Sequence, residues 1–497
     1  MDDDKVNPSQ NQPGNSSDQQ QIQEVVPVEE TDKIQPEEVP PEVASPSPED
    51  MSGVSEIPPP ESPPPIYEEN KTKYFFIIGV GIFFLLLLVF FISILFGKSS
   101  SKAITLTYWG LWEDREVYAP LIQAYEQKNP KVKIDYQQMS PQDYREKLIA
   151  RSKNGQGPDI FRFHNTWLPE IGEVAAPMPS SIMSNSEFEK TFYKIHSKDL
   201  KAGDHYFGLP LEIDGLVLAY NDDLFKKIGI TTPPTNWDEV TDVVNKFASA
   251  VDKDGKPITA AIALGTSSNV DNFSDILGLL LVQNGGDIKK LDSAEAAGAL
   301  ESYRKFAEPP NNIWNDSLPP SVTAFAQEKV AMIIVPSWEL INIKNANPDL
   351  KMKVTTIPAV PGATPVSLAS YWVEGVSRES KQQLEAWKFL RFLVDKDNMT
   401  KLYEAESKIR LFGEPYSRVD LASLLVQNDY IGPVLKQADN YVSLPVISRT
   451  YDNGLNDEII TYLGNAINQT VQGVSYSEAM LTAKKGVDQV LTKYKVE

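Results

Sequence analysis

The chain has 497 residues, of which 41% are hydrophobic and 23% charged, with a formal net charge of −21. It contains no cysteine, which excludes disulfides, thiolate metal sites, cysteine nucleophiles and lipid attachment through a thiol. The acidic balance argues against nucleic acid or an anionic bilayer surface as the main partner.

Residues 1–73 hold 17 Asp/Glu against 4 Lys/Arg, a net of −13, with proline clusters at 58–60 and 63–65 and one aromatic residue, Tyr67. Such a segment buries too little apolar surface to offset chain entropy, so a disordered, Pro-rich acidic tail is expected. It reads as a solvated spacer, with a docking tail for a PxxP-type partner as the alternative. Residues 74–96, YFFIIGVGIFFLLLLVFFISILF, carry no charge. At ~1.5 Å per residue this run spans ~34 Å, enough for a hydrocarbon core of ~30 Å. It is too long and too far from Met1 for a signal-peptide core, so a transmembrane anchor is expected. Lys71 and Lys73 on one side balance Lys98 and Lys102 on the other, and charge alone leaves the orientation open. Residues 97–102 read as a linker.

Removing the tail from the total (−21 + 13) leaves −8 for the remainder. Residues 103–497 are long enough for two lobes with separate cores. Ile104–Trp109 alternates as a strand, Glu113–Lys128 has helical spacing at Val117, Leu121 and Tyr125, and Val132–Tyr136 alternates again. Pro141–Lys153 reads as a second helix, and Ile160–Phe163 follows the Gly157-Pro158-Asp159 turn as a third strand. Three strands joined by two helices begin a doubly wound α/β sheet, in which ligands sit beyond the carboxyl ends of the strands. Trp109, Trp112, His164, Asn165 and Trp167 follow those ends. Aromatic faces beside amides and carboxylates suit a sugar, whose C–H faces stack on indole while its hydroxyls need donors and acceptors; core packing is the alternative for each.

Four later segments carry a resemblance. Tyr206–Phe225 contains Gly208-Leu-Pro, Ile213-Asp-Gly-Leu and Tyr220-Asn-Asp-Asp-Leu; Pro233–Glu239 reads Pro-Pro-Thr-Asn-Trp-Asp-Glu, with Asn236 or Thr235 as a helix cap. Phe325-Ala-Gln-Glu-Lys-Val-Ala-Met332 leads into a strand and Trp338, and Ser370-Tyr-Trp-Val-Glu-Gly-Val-Ser377 precedes a helix at 386–393. In this order they resemble the extracellular solute-binding proteins of ABC sugar importers, of the maltose-binding-like branch. The resemblance implies a two-lobed α/β periplasmic-binding-protein fold with an interlobe hinge, preceded here by the tail and one transmembrane helix. It places lobe one at about 103–212 and 343–371, and lobe two at about 214–341 and 373–497. It also implies a mono- or oligosaccharide as ligand, ABC permease subunits as partners, no cofactor, and an extracellular C-terminal domain with the N-terminus in the cytoplasm.

Asp214 matches a carboxylate that accepts sugar hydroxyls in relatives, with a hinge salt bridge as the alternative, and Trp338 matches a stacking tryptophan, with a core indole as the alternative. Asn165 falls at a polar cleft position or serves as a helix cap. Tyr371 and Trp372 line the cleft or pack the hinge; Trp112 and Trp109 are further candidates, one of them expected beneath the sheet edge. The sequence departs from the family where Glu328 replaces a glycine, which demands uncomfortable geometry or a different turn. It departs again around Ile409–Pro415, which puts the identity of the sugar in doubt. No Gly-x-Ser-x-Gly, Walker loop or His-Glu-x-x-His occurs, and His164, His196 and His205 are not spaced for a metal. A surface glycosidase, a solute sensor signalling through the tail, and a ferric or polyamine binder on the same fold are the rival readings.

Overall fold

The computed structural model describes residues 72–96, 103–250 and 259–496, with the side chains of the first segment described for 75–89. The chain divides into two units, 1–97 and 98–497. The expected tail up to 71 and the linker 97–102 lie outside the described residues. In the first unit, α1 (Thr72–Phe96) is 25 residues of continuous helix through the whole apolar run. All side chains from 75 to 89 are exposed. That stretch is ~22 Å long at the helical rise, and among the described residues no helix is long and apolar enough to cross a membrane.

The second unit is two α/β lobes. In lobe one, β1 (Ile104–Gly110) pairs in parallel with β2 (Val132–Gln138) on one side and β3 (Ile160–His164) on the other. The helices α2 (Arg115–Lys128) and α3 (Tyr144–Lys153) make the crossovers, so the doubly wound start expected from the alternation is present, in spatial order 2-1-3. Val117, Tyr118, Leu121, Ile122 and Tyr125 form the buried stripe of α2. β4 (Leu209–Pro210) lies at the far edge of this sheet. Lobe two is a four-stranded sheet of β5 (Leu216–Asn221), β6 (Ala260–Ile262), β7 (Val330–Pro336) and β8 (Met352–Thr355), in order 8-5-7-6. Every residue of β5 and β7 is buried, as their near-continuous apolar sequences require of strands covered on both faces.

The division of the later chain differs from the one expected. β8 pairs antiparallel with β5 and belongs to lobe two, whereas β9 (Trp372–Val376) pairs antiparallel with β3 and belongs to lobe one. The helix Gln383–Leu393 follows β9, and it and Lys396–Ser407 pack against α2. Residues near 343–368 therefore extend lobe two, and those from 372 to about 407 return to lobe one. The terminal helices Leu455–Val471 and Tyr476–Lys493 pack on lobe two against Phe273–Gln283 and Ala294–Arg304. Sheet pairing decides membership, and sequence periodicity does not say which sheet a strand joins.

The chain crosses between lobes beside itself. Gly215 bridges Ala369, Ser370 N donates to the Asp214 carbonyl, and Ser367–Leu368 pairs with Tyr441–Val442. Gly215 is obligatory in this bundle: a Cβ there would lie 2.3 Å from the Leu368 carbonyl oxygen and 2.7 Å from the Tyr441 ring. Asn236 caps the helix Trp237–Ser249 by accepting from Glu239 N at 2.9 Å. Glu328 adopts φ +60°, the strained option for a side chain in a glycine position, and its carboxylate accepts from Asn221 Nδ2 at 3.1 Å.

Candidate binding cleft

The strand ends that face the other lobe converge on one cavity of about 420 Å³. The loop after β1 supplies Trp112 and Glu113, the crossing after β4 supplies Glu212 and Asp214, and the turn after β7 supplies Trp338. Trp372 opens β9, opposite His164 at the end of β3. The loop 410–415 and the loop 448–451 complete the wall with Arg410, Glu414, Arg449, Thr450 and Tyr451.

Four of the seven residues expected at the site line this cavity: Trp112, Asp214, Trp338 and Trp372. Trp112 is 39% exposed and meets Trp372 edge-on at 5.6 Å and Tyr451 at 6.1 Å. Trp372 rests in turn on His164 and Trp167, at 5.2 and 5.3 Å. Trp338 precedes the helix Glu339–Ala346, and the Arg449 guanidinium lies over its ring at 5.7 Å. Asp214 accepts from Gly215 N at 2.7 Å and Trp338 N at 3.4 Å, so it also caps that helix. Burial nevertheless pushes its pKa up to about 7.

The other three lie behind the wall. Trp109, 4% exposed, packs under the sheet edge against Tyr144 at 6.4 Å, as one of the two tryptophans was expected to do. Tyr371 is fully buried, and its hydroxyl donates to Asp199 Oδ2 at 2.7 Å. Asn165 donates to the same oxygen and to Ser443 Oγ, each at 3.0 Å, and accepts from Tyr371 N. It is a brace of the hinge, and the cap of the short 3-10 turn at 165–167 is His164. Burial holds the His164 pKa down at about 3, so its imidazole is neutral; Thr166 and Ser370 hydroxyls contact its two nitrogens.

Sequence reasoning missed the charged floor. Arg162, fully buried on β3, pairs with Glu113 at 2.7 Å, Glu374 at 2.7 Å and Glu414 at 3.3 Å. Arg410 adds contacts to Glu406 at 3.1 Å and Glu113 at 3.4 Å. Burial raises the pKa of Glu113, while for Glu414 the two guanidiniums outweigh burial and hold it at about 2. Glu113, Glu406 and Glu414 bring carboxylate oxygens within 4.8 Å of one another, but the two arginines that lie among them account for the gathering. The partners are up to 297 residues apart in sequence, and no local pattern marks them.

The loop 448–454 ties the lobes together across the cleft mouth. Arg145 of α3 donates to the Asp452 carbonyl at 2.5 Å, and Asn456 donates to Thr166 Oγ1 at 2.8 Å. Arg449, Tyr451 and Asn453 all have positive φ, between 47° and 60°. The buried Asp452 carboxylate holds the strained path by accepting from Gly454 N, Asn456 N and Asp457 N.

The pattern of the bacterial extracellular solute-binding proteins matches residues 120–409, more than half of the chain. The chain belongs to that family. Among its relatives, the maltooligosaccharide ABC transporter solute-binding lipoprotein of Streptococcus pneumoniae is 26% identical over 327 residues, 61% of this chain and 70% of that protein. The multiple sugar-binding protein of Streptococcus mutans is 22% identical over 344 residues, 62% of this chain and 75% of that protein. In fold, it is similar to a solute-binding protein of Thermotoga lettingae bound with alpha-D-tagatose (23% identity, TM-score 0.61, 78% of this chain and 100% of that one). It is also similar to a cyclo/maltodextrin-binding protein complexed with maltotetraose (19% identity, TM-score 0.63, 79% of this chain and 99% of that one). These likenesses show the two-lobed fold of this solute-binding family.

Proposed function

We propose that this protein captures a mono- or oligosaccharide between its lobes and delivers it to an ABC permease, doing no chemistry on it. The observation that carries the reading is the cavity itself, which three indoles, Trp112, Trp338 and Trp372, line together with Glu212 and Asp214. Indole faces take the C–H surface of a pyranose, and carboxylates accept its hydroxyl protons. Relatives named for sugar binding support the ligand class and the transporter partner.

The apolar run in α1 supports an anchor: 74–96 spans ~34 Å as a helix, long enough for a bilayer core. With the binding lobes outside the cell, the acidic tail lies in the cytoplasm. Tryptophan fluorescence of the full-length chain, titrated with mono- and oligosaccharides, tests the ligand. A saturable shift for one sugar, lost in Trp338→Ala and retained in Trp109→Phe, supports the reading. Silence toward all saccharides with a response to a metal or polyamine refutes it. Resistance of the chain to carbonate extraction from membranes tests the anchor separately.

A further inference from the structure

The charges in the cleft do not cancel, and the imbalance has a location. Arg410 is engaged by Glu113 and Glu406, and Arg449 by Glu339 and by Asp271 at 2.8 Å. Arg162 is engaged by Glu113, Glu374 and Glu414. Among the described residues, no Lys, Arg or His side chain lies within ion-pair distance of Glu212 or Asp214, though both are more than nine-tenths buried and both line the cavity. Glu212 accepts from Trp372 N at 2.6 Å, and Arg162 and Arg410 act on it only from beyond ion-pair distance. Two carboxylates near each other in low dielectric are costly unless protonated or paired with a cation. Trp112, Trp372 and Tyr451 line the same cavity, and their electron-rich rings also favour a cation.

We infer that the cleft selects a saccharide bearing a protonated amine, whose ammonium sits between Glu212 and Asp214 and the Trp112–Trp372–Tyr451 wall. This rests on the saccharide reading above and narrows it: a neutral sugar satisfies the hydrogen bonds of these carboxyl groups but offers neither an ion-pair partner. Burial drives the pKa of Glu212 upward and that of Asp214 to about 7, so the empty cleft takes up protons that a cationic ligand displaces.

The test is calorimetric titration of the full-length chain with matched pairs: deacetylated (amine) and N-acetylated chito-oligosaccharides, and neutral gluco-oligosaccharides of equal length, at pH 6.5. The expected result is a preference of tenfold or more for the amine. That ratio falls to within twofold of one in Glu212→Gln, and in the parent protein above pH 9, where the sugar amine is neutral. Glu212→Gln removes an unpaired buried charge and keeps the shape, and the pH series gives a readout that needs no variant. Neutral or N-acetylated sugars binding as tightly as the amine overturn the inference and leave the saccharide reading standing. So does a Glu212→Gln variant that weakens both members of a pair equally. Binding of spermidine but of no saccharide overturns the saccharide reading itself, and this narrower one with it.

Discussion

Arg162→Met isolates the charged floor of the cleft. The guanidinium is fully buried and neutralises parts of three carboxylates, at 2.7, 2.7 and 3.3 Å. Methionine fills most of the arginine stem's volume, so the change deletes charge more than packing. Removing one partner of a buried pair costs about 3–5 kcal/mol, because the remaining charge has neither water nor counter-ion. For roughly 395 folded residues, the unfolding entropy is about 0.8 kcal/mol/K, so a loss of about 4 kcal/mol lowers Tm by about 5 °C.

The pH dependence fixes the mechanism. In the parent, Glu414 is held at about 2, so its stabilising charge is complete above the unfolded carboxylate range and is lost only as pH falls toward 2. Without Arg162, the pKa values of Glu113, Glu374 and Glu414 stand above their unfolded values. Their destabilisation is then greatest at high pH and fades as protons bind. Differential scanning calorimetry between pH 8 and pH 5 should show the deficit shrinking on acidification. A variant as stable as the parent at pH 8, or a deficit that grows toward pH 5, refutes the reasoning.

Three other perturbations address the backbone and the hinge. Glu328→Gly should be more stable than Glu328→Ala by about 1–2 kcal/mol in urea unfolding, since both lose the Asn221 contact and only alanine keeps the left-handed strain. Gly215→Ala should cost about 1–3 kcal/mol or more by overpacking against Leu368 and Tyr441, and small-angle scattering should show lobes that no longer close on ligand. Tyr371→Phe should lower stability by about 1–3 kcal/mol, because Asp199, already raised to about 6 by burial, loses a donor. Ligand affinity should stay within twofold, as expected for a residue behind the cavity; a larger change returns Tyr371 to the site.

The local structure was legible wherever it rests on short-range physics. The β1–α2–β2–α3–β3 start followed from alternation and helical spacing, and the cap was narrowed to Asn236 or Thr235, of which Asn236 serves, because its chemistry acts three residues away. Glu328 in a glycine position left either uncomfortable geometry or a different turn, and its φ of +60° is the former. The lobe division after residue 343 was not legible. β8 and β9 are both short, and whether each joins the lobe-one or lobe-two sheet depends on partners 131 to 216 residues earlier, from Asn221 for Met352 to Ile160 for Val376.

The site divides along the same physical line. Trp338 and Asp214 each sit in a contiguous motif at a strand end, and the fold delivers both to the cavity. Tyr371 and Trp372 were indistinguishable by the same reasoning, since they are adjacent on an extended segment. The alternation of an extended chain then sends them opposite ways: Trp372 faces the cleft, and Tyr371 faces Asp199. The acidic floor shows the deeper limit. In sequence, Glu113, Glu212, Glu374, Glu406 and Glu414 look like an ordinary scatter of acidic residues. Their meaning lies in compensation, which is a property of three-dimensional neighbours: Glu113, Glu374 and Glu414 meet Arg162, and Glu406 meets Arg410. Glu212, among the described residues, forms no ion pair, and Arg162 and Arg410 act on it only from longer range. A carboxylate that the protein leaves unpaired in a cavity built for a ligand is therefore the one whose partner should be sought in the ligand.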